Sequence, residues 1–252
     1  MWLPHRILRA VYAVISRTGI FSTPTGQATY ECFYERYKLL MEGGTINALC
    51  KHITPNSLVI DVGANIGIYT NVFNKSVGKA GKVVAIEADP INAASVRRRF
   101  FSVPSVEVIE SAASDQSGIC RLQQDPYNPA GHVIGAEGIE VSSITLDEIV
   151  ERTSLPLSFI KIDVEGAEPL VIKGAAKSIK KYLPTMYIEY SPDRITRLGG
   201  DPTALLKTLC EFGYQLFSYQ SSSALSIEQI NQQSLKRGYV DILALAPSAK
   251  RP

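Results

Sequence analysis

From residue 55 onward, short apolar runs alternate with segments in which apolar residues recur at helical spacing. The apolar runs predict strands near residues 58–60, 82–87, 106–109, 158–162 and 186–190. Asp89-Pro90, Thr145 and Asp201-Pro202 are typical helix starts, because Asp and Thr cap helices and proline suits the first turn. Strands that alternate with helices predict an α/β fold with a mainly parallel sheet and helices on both faces.

The two ends of the chain depart from this alternation. Up to about residue 55 the pattern is helical, and Gly43-Gly44 is expected to break it. Near the C-terminus, Tyr214–Tyr219 and Tyr239–Leu245 predict two strands joined by a polar loop, with no helix pattern between them. We expect these strands to pair as an antiparallel hairpin. The prediction is therefore an N-terminal helical extension over residues 1–54 and one α/β domain over residues 55–252.

A single helix is predicted to begin at Pro169. Val171, Ala175 and Ile179 recur there at intervals of four residues, which places them on one face. Residues 119–144 are less regular and rich in Gly and Pro, so we expect an excursion or hairpin above the sheet.

Composition bears on the class of protein. The 252 residues carry a formal net charge of +2, which gives no electrostatic reason to expect a nucleic-acid partner. The four cysteines form no C-x-x-C pair and the three histidines are scattered, so neither a disulfide framework nor a metal site is expected. This cysteine usage favours a reducing compartment, and we predict a cytoplasmic protein.

The first twenty residues have two interpretations. Leu8, Val11, Tyr12 and Ile15 have helical spacing with arginines between them, and the apolar run is too short to span a bilayer. A helix packed on the domain is the prediction. Weak contact of this helix with a membrane surface is the alternative.

The turn after the first predicted strand carries the strongest chemical signal. The strand ends in Asp61, and Gly63, Asn65 and Gly67 follow at every second position. Such a turn opens a helix and brings backbone N–H groups close to a nucleotide-like ligand. Glu87, at the end of the second strand, suits a pair of ribose hydroxyls, which donate hydrogen bonds to a carboxylate. These residues predict a nucleotide-cofactor site.

A second polar group follows the fourth predicted strand. Lys161 lies inside an otherwise apolar strand, where an unpaired charge is costly, and we hypothesise that it pairs with Glu189 on the next strand. Asp163 and Glu165 lie where the strand meets the cleft. They could contact substrate or act as a base, or Asp163 could cap the following helix. For Glu168 we expect a structural role at that helix.

Several motifs together resemble a known family. They occur in the order Asp61-Val-Gly-Ala-Asn-Ile-Gly67, Glu87 with Pro90, Ser114-Asp115 with Gly118, Thr145-Leu-Asp147 and Lys161-Ile-Asp-Val-Glu-Gly-Ala-Glu168. Over roughly residues 55–220 this order resembles the FkbM family of S-adenosylmethionine-dependent methyltransferases. The resemblance implies a Rossmann-like class I methyltransferase, with a seven-stranded, mostly parallel sheet whose last strand is antiparallel.

The resemblance also implies where S-adenosylmethionine would bind. Asp61, Gly63, Asn65 and Gly67 would line its methionine end, and Glu87 would hold its ribose. The segment around Ser111 to Asp115, which includes Ser114, would flank the adenine.

The resemblance further implies a methyl acceptor. Members of the family mostly methylate oxygen, so a small-molecule or glycan hydroxyl is the expected acceptor. Because a hydroxyl nucleophile benefits from a base, Asp163 and Glu165 are our candidates for that role. Tyr127, Asn128 and His132 of the excursion could close over the acceptor.

Two other classes of protein remain as alternatives. A nicotinamide-dependent oxidoreductase would use a similar turn, but Asn65 and Ile68 replace two of the three glycines of its G-x-G-x-x-G pattern. The third class is a non-catalytic binding protein that keeps the fold and whose N-terminal helix docks a partner or a membrane.

Overall fold

The computed structural model describes residues 24–125, 128–135, 137–218, 221 and 223–247. The helix predicted within the first twenty residues and Tyr127 of the excursion lie outside the described residues. No helix in the described part of the chain is long and apolar enough to cross a membrane.

Helices and strands alternate as the sequence pattern predicts. The helices are α1 (Pro24–Leu49), α2 (Ile68–Ser76), α3 (Pro90–Phe100), α4 (Leu146–Glu151), α5 (Glu168–Gly174), α6 (Ala176–Tyr182), α7 (Pro192–Arg197), α8 (Pro202–Glu211) and α9 (Ile227–Arg237), with a short 3-10 helix at Cys50–His52. The strands are β1 (Leu58–Val62), β2 (Lys82–Glu87), β3 (Val106–Glu110), β4 (Ala112–Ala113), β5 (Gly118–Asp125), β6 (Asn128–Ile134), β7 (Ile139–Ile144), β8 (Leu157–Ile162), β9 (Thr185–Tyr190), β10 (Gln215–Ser218) and β11 (Val240–Leu245).

Seven strands form the main sheet in the spatial order β3-β2-β1-β8-β9-β11-β10. Neighbours from β3 to β9 pair in parallel, and β11 pairs antiparallel with both β9 and β10. All five residues of β1 are buried, as expected of a central parallel strand covered on both faces. The structure confirms the predicted α/β class, with a seven-stranded, mostly parallel sheet and an antiparallel last strand.

The two C-terminal strands do not form the predicted simple hairpin. They pair antiparallel, but α9 connects them, and β11 is inserted between β9 and β10. Ser226 caps α9: its hydroxyl accepts from the Gln229 N–H, and the Gln229 side chain accepts from the Ser226 N–H. This Ser-x-x-Gln capping box is a local signal for a helix that the pattern analysis overlooked.

Helix α1 continues through Gly43-Gly44, which was predicted to break it. The reason lies in the next turn, where Ile46 and Leu49 are only 1% and 2% exposed and pack with Phe73 of α2. Burial of two such side chains outweighs the roughly 1 kcal/mol that a glycine costs inside a helix.

The helix predicted from Pro169 onward is two helices, α5 and α6, which meet at Ala175. Asp147 of α4 defines the second start, because its carboxylate accepts from the N–H groups of Lys177 and Ser178 at 3.1 and 2.8 Å. A capping group from another helix is not visible in local periodicity.

The predicted excursion is a small second sheet in the order β4-β7-β5-β6. Its strands β5 and β6 form an antiparallel hairpin, and β7 returns along β5. Asn128 and His132 lie on β6, and only their backbone is described.

Candidate active site

The turn after β1 depends on glycine at its first position. The N–H groups of Gly63 and Ala64 both donate to the carbonyl oxygen of Ile86, at 2.9 and 3.0 Å. Gly63 has φ +73°, and a Cβ there would lie 1.9 Å from the carbonyl oxygen of Asp163. A side chain at this position would therefore force the turn away from the end of β8.

Glu87 is joined to the same turn. Its Oε2 accepts from the Asn65 N–H at 2.6 Å, and its Oε1 accepts from the Asp89 N–H at 2.9 Å. Burial raises the pKa of Glu87 to about 7, although these two hydrogen bonds oppose the shift. Asn65 has φ +52°, and its own Oδ1 accepts from the Ile66 N–H. The structure thus brings the predicted turn and the predicted ribose carboxylate together.

Asp61 and Gly67 stabilise the turn through their contacts with α2 and α3. Asp61 is fully buried, and its Oδ2 accepts from the Thr70 hydroxyl at 2.6 Å. Gly67 precedes α2 in a left-handed conformation, and a Cβ there would lie 2.8 Å from the ring of Phe100.

Lys161 connects β8 to this turn. Its Nζ donates to the carbonyl oxygen of Gly63 at 2.7 Å, and lies 3.4 Å from Asp61 Oδ1 and 3.6 Å from Asp163 Oδ2. Burial alone would lower the pKa of Lys161, but the two carboxylates outweigh it and raise the pKa. The buried ammonium is therefore a charged link between the turn and Asp163.

The hypothesis that Lys161 pairs with Glu189 is wrong. The β8–β9 register sets Tyr187 opposite Lys161, so Glu189 lies two residues further along β9. Glu189 instead accepts a hydrogen bond from Arg194 at 2.9 Å. Strand register is a tertiary property, which a comparison of strand ends could not supply.

The two candidate bases have different surroundings. The Asp163 side chain is 32% exposed beside Lys161. Glu165 has φ +56° and forms an ion pair with Arg194, which also binds Glu189. Asp163 is thus the more accessible carboxylate, while the charge of Glu165 is engaged by a guanidinium.

Glu168 closes the turn between these residues and α5. Its Oε1 accepts from the N–H groups of Val164 and Gly166 at 3.2 and 3.1 Å. Burial raises the pKa of Glu168 to about 7. The side chain has a structural role, as expected, although it binds the turn ahead of α5 rather than the first turn of that helix.

Ser114 and Asp115 lie apart from the turn. The Ser114 carbonyl packs against Gly174 of α5, and Asp115 accepts from Lys173 at 2.7 Å. This hydrogen bond lowers the pKa of Asp115. Within the same segment, Ser111 is nearer to the site, since its N–H donates to the Glu87 carbonyl at 3.0 Å. The adenine role of Ser114 and Asp115 stays a prediction.

The sequence analysis missed polar residues that border this site. Tyr34, Lys38 and Glu42 lie on α1, Tyr69 lies on α2, and Asp241 lies on β11. Asp241 carried a usable signal, because a charge within the apolar strand Val-Asp-Ile-Leu is as unusual as the one at Lys161.

Comparison with known protein families decides the class of protein. The family described as "Methyltransferase FkbM domain" matches residues 61–216, more than half of the 252-residue chain. The chain belongs to this family. The match begins at Asp61 and includes all the predicted site residues, and it confirms the predicted family of methyltransferases. The comparison with curated proteins found no match.

The solved structures that resemble this FkbM methyltransferase share little sequence identity with it. Methyltransferase FkbM from Methylobacillus flagellatus is 16% identical with a TM-score of 0.48, and the match covers 82% of this chain and 60% of that one. The O-methyltransferase from Bacillus cereus, in complex with SAH, is 14% identical with a TM-score of 0.47, covering 81% and 79%. Aeropyrum pernix fibrillarin, with natively bound S-adenosyl-L-methionine, is 11% identical with a TM-score of 0.45, covering 77% and 68%. These values are too low to transfer a substrate or a residue role.

Proposed function

We propose that this FkbM methyltransferase transfers a methyl group from S-adenosylmethionine to a hydroxyl oxygen of a sugar, glycan or natural-product acceptor. The observation that carries the proposal is the link through Lys161, whose ammonium binds the Gly63 carbonyl on one side and lies beside the accessible Asp163 on the other. A cofactor turn and a candidate base are thereby held next to each other.

The residues around the turn fit the cofactor. Glu87 has two oxygens, each of which accepts one backbone N–H, so a lone pair remains on each for ribose hydroxyls. Gly63, Asn65 and Gly67 would hold the methionine end. When bound, S-adenosylmethionine supplies an activated methyl group, so the protein has mainly to orient the acceptor.

Asp163 is the proposed general base. Its carboxylate would accept the hydroxyl proton as the new oxygen–carbon bond forms and the sulfur–methyl bond breaks. The Lys161 ammonium lies 3.6 Å from Asp163 Oδ2. Glu165 is the second candidate, but its ion pair with Arg194 suits it better to holding the loop in place.

The test of the base compares two substitutions. We expect Asp163→Asn to lower kcat about 100-fold or more while the Kd for S-adenosylmethionine changes little. Asp193→Asn, on the exposed face of α7, is the matched control and should leave both constants unchanged. Unchanged turnover in Asp163→Asn would remove Asp163 from the proposal.

The acceptor atom is tested by labelling. Transfer of a radiolabelled methyl group into a hydroxyl-rich metabolite extract should give a product that is stable to alkali, as an ether is. A product that releases methanol in alkali would show a methyl ester instead, and would contradict a hydroxyl acceptor.

A further inference from the structure

Helix α1 covers the face of the sheet that carries the site. Its residue Ile46 packs in one apolar cluster with Val59 of β1, Phe159 of β8, Tyr187 of β9 and Leu243 of β11. Side chains alternate between the faces of a strand, so residues at even spacing from these share their face. Asp61, Lys161, Glu189 and Asp241 follow at such spacing, at the edge where the cofactor turn lies.

Side chains of α1 reach this polar edge. Lys38 donates to Glu42 Oε2 at 2.8 Å, and the Tyr69 hydroxyl donates to the same oxygen at 3.0 Å. Two ammonium groups lie over the ring of Tyr69, with Lys38 Nζ 5.8 Å and Lys161 Nζ 5.3 Å from its centroid. Tyr69 also stacks on Tyr187, with ring centroids 6.3 Å apart. The helix is thereby connected to the residues beside the candidate base.

These residues form a partly exposed polar region at the ends of the strands. We call it the α1 pocket, formed by Tyr34, Lys38 and Glu42 of α1 and by Asp163, Glu189 and Asp241 at the strand ends. The side chains of Lys38, Glu42, Glu189 and Asp163 keep 23%, 26%, 25% and 32% of their exposure. A sealed structural cluster would leave no such access, whereas an acceptor must reach Asp163.

The α1 pocket holds more acidic than basic side chains. Five carboxyl groups (Glu42, Asp163, Glu165, Glu189 and Asp241) face three cations (Lys38, Lys161 and Arg194). Burial raises the pKa of Glu189 well above its usual range, and its carboxyl neighbours raise it further. Burial likewise raises the pKa of Asp241 to about 6, with Glu42 and Asp163 adding to the shift.

This charge balance discriminates between acceptors. A phosphate or carboxylate on the acceptor would add to the repulsion already present and would lose its hydration on entry. Hydroxyl groups donate hydrogen bonds to carboxylates, and tyrosine rings offer apolar faces for a sugar ring.

We infer that Tyr34, Lys38 and Glu42 are specificity-determining residues, and that the α1 pocket binds a hydroxyl-bearing acceptor that carries no negative charge. The inference rests on the proposed function, since it assigns the acceptor site of that reaction. It goes further in giving helix α1 a role in substrate choice and in excluding anionic acceptors.

The first experiment measures charge selection with matched pairs of acceptors. The SAH-saturated protein is titrated calorimetrically with methyl glucoside against methyl glucuronide and with methyl galactoside against methyl galacturonide. The members of each pair differ only at C6, where a carboxylate replaces the hydroxymethyl group. We expect at least one neutral member to bind about 10-fold or more tightly than its anionic counterpart. Failure of both neutral glycosides to bind, or equal or tighter binding of the anionic members, would overturn the inference.

The second experiment tests the helix residues. We expect Glu42→Gln to weaken binding of the neutral glycoside about 10-fold, because a charged acceptor of hydrogen bonds is replaced by a neutral one. The Kd for S-adenosylmethionine should stay within about two-fold, since the Glu42 carboxylate lies on the acceptor side. Tyr34→Phe, which keeps the ring, is the second variant, and Glu211→Gln on the exposed surface of α8 is the control.

Thermal unfolding of each variant verifies that it folds. If Glu42→Gln and Tyr34→Phe both keep cofactor binding, methyl transfer and the wild-type affinity for the glycoside, the inference is overturned. The proposed function would stand in that case. Absence of S-adenosylmethionine binding in the wild-type protein would instead refute the proposed function.

Discussion

The ammonium of Lys161 donates a 2.7 Å hydrogen bond to the carbonyl oxygen of Gly63, across the boundary between β8 and the turn after β1. This contact joins the two halves of the candidate site, because Gly63 belongs to the proposed cofactor turn and Lys161 stands two residues before the candidate base. A buried charge thus links the end of β8 to the turn that follows β1.

Replacing Lys161 by methionine should destabilise the protein. The substitution keeps the side-chain length but leaves the fully buried Asp61 without its cation, and loss of one partner of a buried ion pair costs about 3 kcal/mol or more. Urea unfolding measures the effect. Lys177→Met, at an exposed position of α6, is the control and should change stability by less than about 0.5 kcal/mol. A Lys161→Met variant as stable as the wild type would show that this link is dispensable.

Affinity for S-adenosylmethionine should depend on pH through Glu87. The pKa of this carboxyl is raised to about 7, mainly by burial. Ribose hydroxyls donate to the ionised form, so affinity should fall as pH drops below about 7, by up to about 10-fold per pH unit. Calorimetric titration across that range gives the profile. Glu87→Gln should bind more weakly with a flat profile, and a flat profile in the wild type would exclude Glu87 from ribose binding.

Glu168→Gln should become more stabilising as pH rises. The pKa of Glu168 in the folded protein is about 7, above its ordinary 4.5, so folding favours the protonated carboxyl. The stability that this carboxyl contributes is present below pH 4.5 and is lost as pH rises through 7. Glutamine keeps an acceptor for the Val164 and Gly166 N–H groups without the buried charge. We expect a gain of about 2 kcal/mol near pH 8 and almost none near pH 5, measured by urea unfolding. Glu168→Ala, which removes the acceptor, should lose stability at both pH values. A gain that does not vary with pH would argue against this explanation.

Two glycine-to-alanine substitutions should have opposite effects. A Cβ on Gly63 would lie 1.9 Å from the Asp163 carbonyl oxygen, so Gly63→Ala should displace the turn, lower stability and abolish cofactor binding. A Cβ on Gly43 meets nothing within 4 Å inside helix α1, so Gly43→Ala should stabilise the protein by about 1 kcal/mol. Thermal unfolding and cofactor titration distinguish the two. Normal cofactor binding in Gly63→Ala would contradict the close packing of turn and strand.

The sequence by itself determined those features that depend on neighbouring residues. The glycine-rich turn after β1, the acidic end of β2 and the N-caps at Asp89, Thr145 and Asp201 are local patterns, and each lies where it was predicted. Their physical causes, such as left-handed φ angles, capping hydrogen bonds and alternating burial, act over a few residues.

Only the tertiary structure decided the features that depend on register and on long-range packing. The β1–β8 register sets Asp61 opposite Lys161, and the β8–β9 register keeps Glu189 away from it. The place of β11 follows from its pairing with β9. The continuity of α1 past Gly43 follows from the burial of Ile46. The contacts of α1 with the candidate site likewise join residues that are far apart in the chain. Local propensities do not contain such information, because each of these contacts depends on how the strands are assembled and on which sheet surfaces the helices cover.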